Sequence, residues 1–144
     1  MEAFCAMEAN MMMVSFVLLV VASGLVIFFV REQFLGADFQ HSLVGVWFSE
    51  QMNVRVLIYD VDSVFQGSVV WADSANNSIL GTRVLENLKV GMFKKCKGSY
   101  IDPVSAKEFD VTLQLKNKSV LKVTTFHKNT HEVAFAQEWK LIRP

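Results

Sequence analysis

The sequence predicts an all-β soluble domain, a small antiparallel up-and-down barrel of about eight strands, carried behind one N-terminal transmembrane helix. Three observations lead there. Residues 11–30 form a run of twenty amino acids without a charge. After Gln40 the pattern switches to short runs in which apolar and polar residues alternate, the period of a half-buried strand. The gaps between those runs are short and rich in turn formers, which favours hairpins over crossover connections. The expected organisation is a short tail (1–10), a transmembrane helix (11–30), a juxtamembrane linker (31–40) and one barrel domain (41–144). Roughly 100 residues are left for the barrel, enough for a single core.

The apolar run from Met11 to Val30 is interrupted only by Ser15, Ser23 and Gly24. At about 1.5 Å per residue it reaches about 30 Å, the thickness of a bilayer's hydrocarbon core. It has no polar face of the kind a soluble helix turns to water. A cleaved signal peptide is the alternative. Glu2 and Glu8 precede the run and no Lys or Arg does, so the basic leader segment is missing. A cut at Ala22 and Gly24 would leave Leu25 to Val30 as an apolar terminus, and a cut after Ala37 would put Leu35 where a small residue is needed. An uncleaved anchor is therefore expected. Within it Ser23 and Gly24 are small enough to let a neighbouring helix approach in lipid, and Phe28 and Phe29 complete the packing face. The linker carries Phe34, Leu35 and Phe39, which suit the membrane interface. Lys and Arg counts put the C-terminal side in the cytoplasm on the strength of Arg31 alone.

Strands are expected at 43–49, 53–60, 64–72, 83–89, 97–101, 107–115, 119–126 and 132–142. The clearest alternation runs from Glu108 to Leu115, with Phe109, Val111, Leu113 and Leu115 on one face and Glu108, Asp110, Thr112 and Gln114 on the other. Val54, Val56 and Ile58 form a second such face, and Val133, Phe135, Trp139 and Leu141 a third, which they share with Gln137. Turn formers separate the runs at Asp60–Ser63, Asp73–Ser78, Asp102–Pro103, Lys116–Ser119 and His127–Thr130. Eight strands of this length can close into a barrel filled by side chains or holding one small ligand.

The chain is neutral overall, but its residues from 41 onward carry thirteen basic and ten acidic side chains. That mild excess, spread over a whole domain, argues against nucleic acid as a partner. The two cysteines, Cys5 and Cys96, lie on opposite sides of the span, so no disulfide framework is expected. There is no nucleophile elbow, phosphate loop or Cys-x-x-Cys pair. His127 and His131 are four apart, a metal-binding spacing on a helix, but here they flank a hairpin turn. Asp60 and Asp62 flank another turn, where carboxylates ordinarily accept from local amides. Lys94, Lys95 and Lys97, around Cys96, form a basic loop that could meet lipid headgroups or an acidic partner. Tyr59, Trp71, Tyr100 and Phe126 are aromatics suited to an interface, with cross-strand packing as the alternative.

Gly45-Val46-Trp47, Val54 to Tyr59, Gly67 to Trp71, Gly98-Ser99-Tyr100-Ile101-Asp102-Pro103, Phe109, Leu121-Lys122-Val123 and Gln137-Glu138-Trp139 follow one another in an order that resembles a bacterial family of exported domains of unknown function, number 2147. The resemblance spans residues 43–143. The chain departs from the pattern after Pro103, where Val104 to Lys107 include no glycine. The resemblance implies a barrel lying outside the cytoplasm, on the periplasmic side, and no particular activity. A weaker resemblance is to lipocalin-type barrels, in which Gly-x-Trp opens the first strand and a late basic residue stacks on that Trp. It implies that Gly45, Trp47 and Arg143 close one end of the barrel.

These readings converge on a non-catalytic accessory subunit without cofactor or metal, bound to the bilayer and to the membrane protein subunits of a larger complex. Tyr59, Trp71, Tyr100, Lys94, Lys95 and Lys97 are its candidate partner surface. The alternatives are a lipocalin-like binder of a small apolar ligand and an enzyme.

Overall fold

The computed structural model describes the backbone of residues 2–143 and the side chains of residues 7–29 and 38–143. It consists of two units, Met1–Leu35 and Gly36–Pro144. One helix, α1 (Glu2–Leu43), begins in the first and ends in the second. The segments expected to be a tail and a linker are thus both helical. The side chains of Cys5, Arg31, Phe34 and Leu35 lie outside the described residues.

In the first unit, Met7–Phe29 is a 23-residue stretch long and apolar enough to cross a membrane, with a mean hydropathy of 2.7 and no residue buried. Ser23 satisfies its hydroxyl within the helix by donating to the carbonyl of Val20 at 2.9 Å. Gly24 has nothing within 4 Å of the place a Cβ would occupy, and Phe28 and Phe29 meet edge to face at 6.4 Å.

The second unit is a closed eight-stranded antiparallel barrel in which every strand pairs with its neighbours in sequence and β8 returns to β1. The strands are β1 (Gly45–Ser49), β2 (Val54–Val61), β3 (Val64–Ala72), β4 (Arg83–Val90), β5 (Lys95–Ile101), β6 (Glu108–Asn117), β7 (Val120–Phe126) and β8 (Val133–Ile142). Each coincides with an alternating run in the sequence, displaced by at most two residues. Short 3-10 turns fill Ser74–Ile79 and Met92–Lys94. Closure follows from the pairing of Trp47 with Leu141 and of Phe48 with Lys140. The inward faces are those the alternation predicts, with Val54, Val56 and Ile58 of β2 and Val111 and Leu113 of β6 buried, as are Trp47 and Trp139; the exception is Val133, 58% exposed where a bulge against Thr125 and Phe126 shifts the register.

In an up-and-down barrel alternate turns share an end. The last turn of α1 therefore meets the end that carries the β2–β3, β4–β5 and β6–β7 turns. Phe39 and Leu43, four residues apart on one helix face, are 2% and 0% exposed and belong to the barrel core. The helix thus runs past the boundary expected at residue 41: Phe39, expected in the linker, and Leu43, expected to open the first strand, share one helical stripe and bury together. Trp47 donates its indole N–H to the carbonyl of Leu43 at 2.9 Å, satisfying one of the acceptors that a helix C-terminus leaves without partner. Gly45, at φ +151°, lets the chain turn from helix into strand where a side chain would be strained.

Arg143 does not stack on Trp47. It is exposed, its guanidinium donates to Ser119 Oγ at 3.3 Å, and Trp47 is sealed inside. The helix end closes the barrel instead. Gly98, the first residue of the Gly98-to-Pro103 motif, is required by close approach. A Cβ there would lie 2.6 Å from the carbonyl oxygen of Glu86 and 2.8 Å from that of Asn87, where β4 bulges.

Candidate binding cleft

At the end of the barrel away from α1, the β1–β2, β3–β4 and β5–β6 turns and the start of β8 surround an open cleft of about 420 Å³. Gln51, Met52, Asn76, Ile79, Tyr100, Asp102, Pro103, Val104, Phe135 and Gln137 line it. Its floor comes from a polar interruption in the inward face of β8, where Gln137 occupies an otherwise apolar register and is 7% exposed.

The hydrogen bonds around Gln137 fix its orientation. Trp139 Nε1 donates to Gln137 Oε1 at 3.0 Å, and Ser49 Oγ donates to the same oxygen at 2.8 Å. An indole N–H can only donate, so the amide oxygen must face Trp139. Ser49 in turn accepts from the backbone N–H of Met52 at 3.4 Å, which ties the floor to the β1–β2 turn.

Beside the floor, Tyr100 and Phe135 form an aromatic wall, their rings 5.4 Å apart and nearly perpendicular. Phe109 packs behind both, at 6.4 Å from Tyr100 and 5.9 Å from Phe135. Tyr100 is 1% exposed and its hydroxyl donates to Met52 Sδ at 3.1 Å. Burial, and secondarily the Asp102 carboxylate, raise its pKa well above the ordinary phenol range, so it stays protonated. Asp102 Oδ1 accepts from the backbone N–H groups of Val104 and Ser105 at 2.8 and 3.3 Å, which shapes the rim.

The candidate partner residues do not form one surface. Tyr100 is buried in the cleft wall and is withdrawn from any exterior patch. Tyr59 is half-buried and its hydroxyl donates to Gln66 at 3.3 Å. Trp71 is 38% exposed, with Arg55 stacked 4.9 Å over its ring. Lys94 and Lys97 are exposed and Lys95 half-buried. The β4–β5 turn adds two apolar residues to them, Met92 and Phe93, 63% and 67% exposed. Cys96, between Lys95 and Lys97, is fully buried, and burial pushes its thiol up to about 12.

His127 and His131 bracket a tight turn in which the His131 amide donates to the His127 carbonyl at 2.9 Å, and the His127 ring lies 5.6 Å from that of Phe109. Among the described residues no three His, Cys, Asp or Glu side chains gather as metal ligands. Asp60 accepts from the Ser63 amide at 2.8 Å, the local turn role expected of it.

Sequence reasoning placed Gln137 on an inward face but assigned it no role. Its signal was there: a lone polar residue in register with Phe135 and Trp139. Compared with known proteins, the chain matches no family, no curated protein and no solved structure.

Proposed function

We propose that this chain is a single-pass, membrane-anchored, non-catalytic interaction subunit whose barrel docks on a larger membrane protein assembly. The observation that carries the reading is the 23-residue stretch Met7–Phe29, whose apolar side chains are all exposed and need lipid or neighbouring helices to cover them. At the end where α1 joins the barrel, Met92 and Phe93 protrude beside Lys94 and Lys95, a pairing of apolar tip and basic flank suited to a bilayer with anionic headgroups. The motif resemblance favours a barrel on the non-cytoplasmic side. The test is purification of the tagged chain in mild detergent, followed by mass spectrometry. Stoichiometric companion subunits are expected, and a lone monomer overturns the reading.

A second reading, a binder of a small apolar ligand, is favoured by the cleft at the barrel mouth. The barrel axis itself is filled, since Trp47, Trp139, Phe65 and Leu113 are each 2% exposed or less. A ligand would therefore sit at the mouth rather than along the axis.

A further inference from the structure

The amide of Gln137 has an oxygen with two donors and a nitrogen with none of its protons placed. The indole of Trp139 can only donate, which sets the oxygen on its side, and the Ser49 hydroxyl, free to donate or accept, then donates to the same oxygen. The NH₂ group must then point the other way. No hydrogen bond among the described residues takes its protons, and no buried polar side-chain atom is without a partner, so the nitrogen opens into the cleft that Gln137 lines. A side chain more than nine-tenths buried thus aims two unused donors at a concave, half-apolar space. Water can accept those protons in the open cleft, so a ligand that displaces it must bring an acceptor in its place.

The rest of the lining selects the acceptor. Asp102 is the single charged side chain of the cleft, and its second carboxylate oxygen repels an anion. Met52, Ile79, Phe135 and Pro103 offer an apolar bed beside the donors. A volume of about 420 Å³ lies within the range of small-molecule sites. We propose that the mouth cleft binds a small, uncharged molecule in which a carbonyl oxygen is attached to an apolar body. The carbonyl accepts from Gln137 Nε2, and the apolar part packs on Phe135, Met52 and Ile79. The site lies wholly within the barrel unit, so it stands or falls independently of the membrane-anchored reading.

The test compares three probes of nearly equal shape on the full-length chain held in amphipol: acetophenone, benzoate and isopropylbenzene. Acetophenone has a neutral carbonyl, benzoate a charged acceptor and isopropylbenzene none. Side-chain amide NMR signals are followed at matched free probe concentration. Acetophenone should move the Gln137 NH₂ protons downfield and bind about five-fold tighter than isopropylbenzene, the factor expected from one net neutral hydrogen bond. Benzoate should bind more weakly than acetophenone, and Asp102→Asn should narrow that gap. Gln137→Glu keeps an oxygen for Trp139 and Ser49 but exchanges the donors for a second acceptor, and should abolish the preference for acetophenone. If that variant fails to fold, the wild-type shifts decide alone. Equal binding of acetophenone and isopropylbenzene, or an unmoved Gln137 amide, overturns the proposal, as does a preference retained by a folded Gln137→Glu chain.

Discussion

Replacing Phe39 with Ala tests whether the end of α1 is part of the barrel or merely leads to it. Phe39 is 2% exposed and sits in one core with Leu43, Trp47 and the strands behind them. Truncating a buried Phe loses its transfer free energy and leaves a cavity, together about 3–5 kcal/mol. Such a loss is a large fraction of the roughly 5–15 kcal/mol that holds a domain together. For a domain near 100 residues each kcal/mol moves Tm by about 4 °C or more, so Phe39→Ala should lower it by about 12 °C or more. Leu43→Ala should cost about 2–5 kcal/mol. The double variant should depart from additivity, because the two side chains fill one space. Gln40→Ala, on the exposed side of the same turn, should stay within about 0.5 kcal/mol of wild type. Urea titration of the full-length chain in detergent, followed by tryptophan fluorescence, measures all four. A Phe39→Ala midpoint as close to wild type as that of Gln40→Ala would refute the helical closure and restore a boundary near residue 41.

Gly98→Ala should destabilise the barrel by about 1–3 kcal/mol in the same titration, because its Cβ would run into the backbone carbonyls of Glu86 and Asn87 rather than a movable side chain. Gly91→Ala, whose nearest neighbour would be 3.7 Å away, should cost less than Gly98→Ala. Cys96, held at about 12 when folded against an ordinary thiol value of 9.0, stays protonated after the unfolded chain has begun to ionise. Stability is therefore undiminished by this group below pH 9 and falls as pH rises from about 9 towards 12; Cys96→Ala should flatten that slope, and the native thiol should resist alkylation until urea exposes it. Gly24→Ile should reduce recovery of companion subunits in the detergent purification while leaving the urea midpoint unchanged, since Gly24 lies outside the barrel unit; unchanged recovery would remove Gly24 from any helix contact.

The barrel was legible because most strands have one buried and one wet face, and a period of two survives in the residues themselves; β4 departs from it where Val84 and Leu85 are both buried at a shift in register. Glu108 to Leu115 is the clearest case, and β6 (Glu108–Asn117) follows it with Phe109, Val111 and Leu113 inward. What the pattern could not convey was the reach of α1. Phe39 and Leu43 lie beyond the uncharged run, and by composition Phe39 reads as an interfacial anchor and Leu43 as the start of a strand. Only the closed end of a barrel gives them a place to bury. Arg143 failed for a related reason. A borrowed stacking role assumed that Trp47 leaves a face open at the barrel end, whereas Trp47 is wholly enclosed and spends its N–H on the Leu43 carbonyl.

The cleft was the least legible feature, because it depends on hydrogen-bond direction rather than on residue type. A glutamine at an inward strand position has two physical meanings. If both ends of its amide are satisfied inside, it is a structural link between strands. If one end is satisfied and the other opens on a concavity, it is a recognition group held rigid by the satisfied end. The choice between them rests on Trp139. Were that residue a Phe, the amide could turn over and present either its oxygen or its nitrogen to the cleft, and no ligand polarity could be assigned. The indole, limited to donating, locks the oxygen inward and leaves only donors facing out. Trp139→Phe should therefore loosen the discrimination between carbonyl-bearing and purely apolar probes without filling the cleft, and unchanged discrimination in a folded variant would show that the indole does not set the polarity of the site.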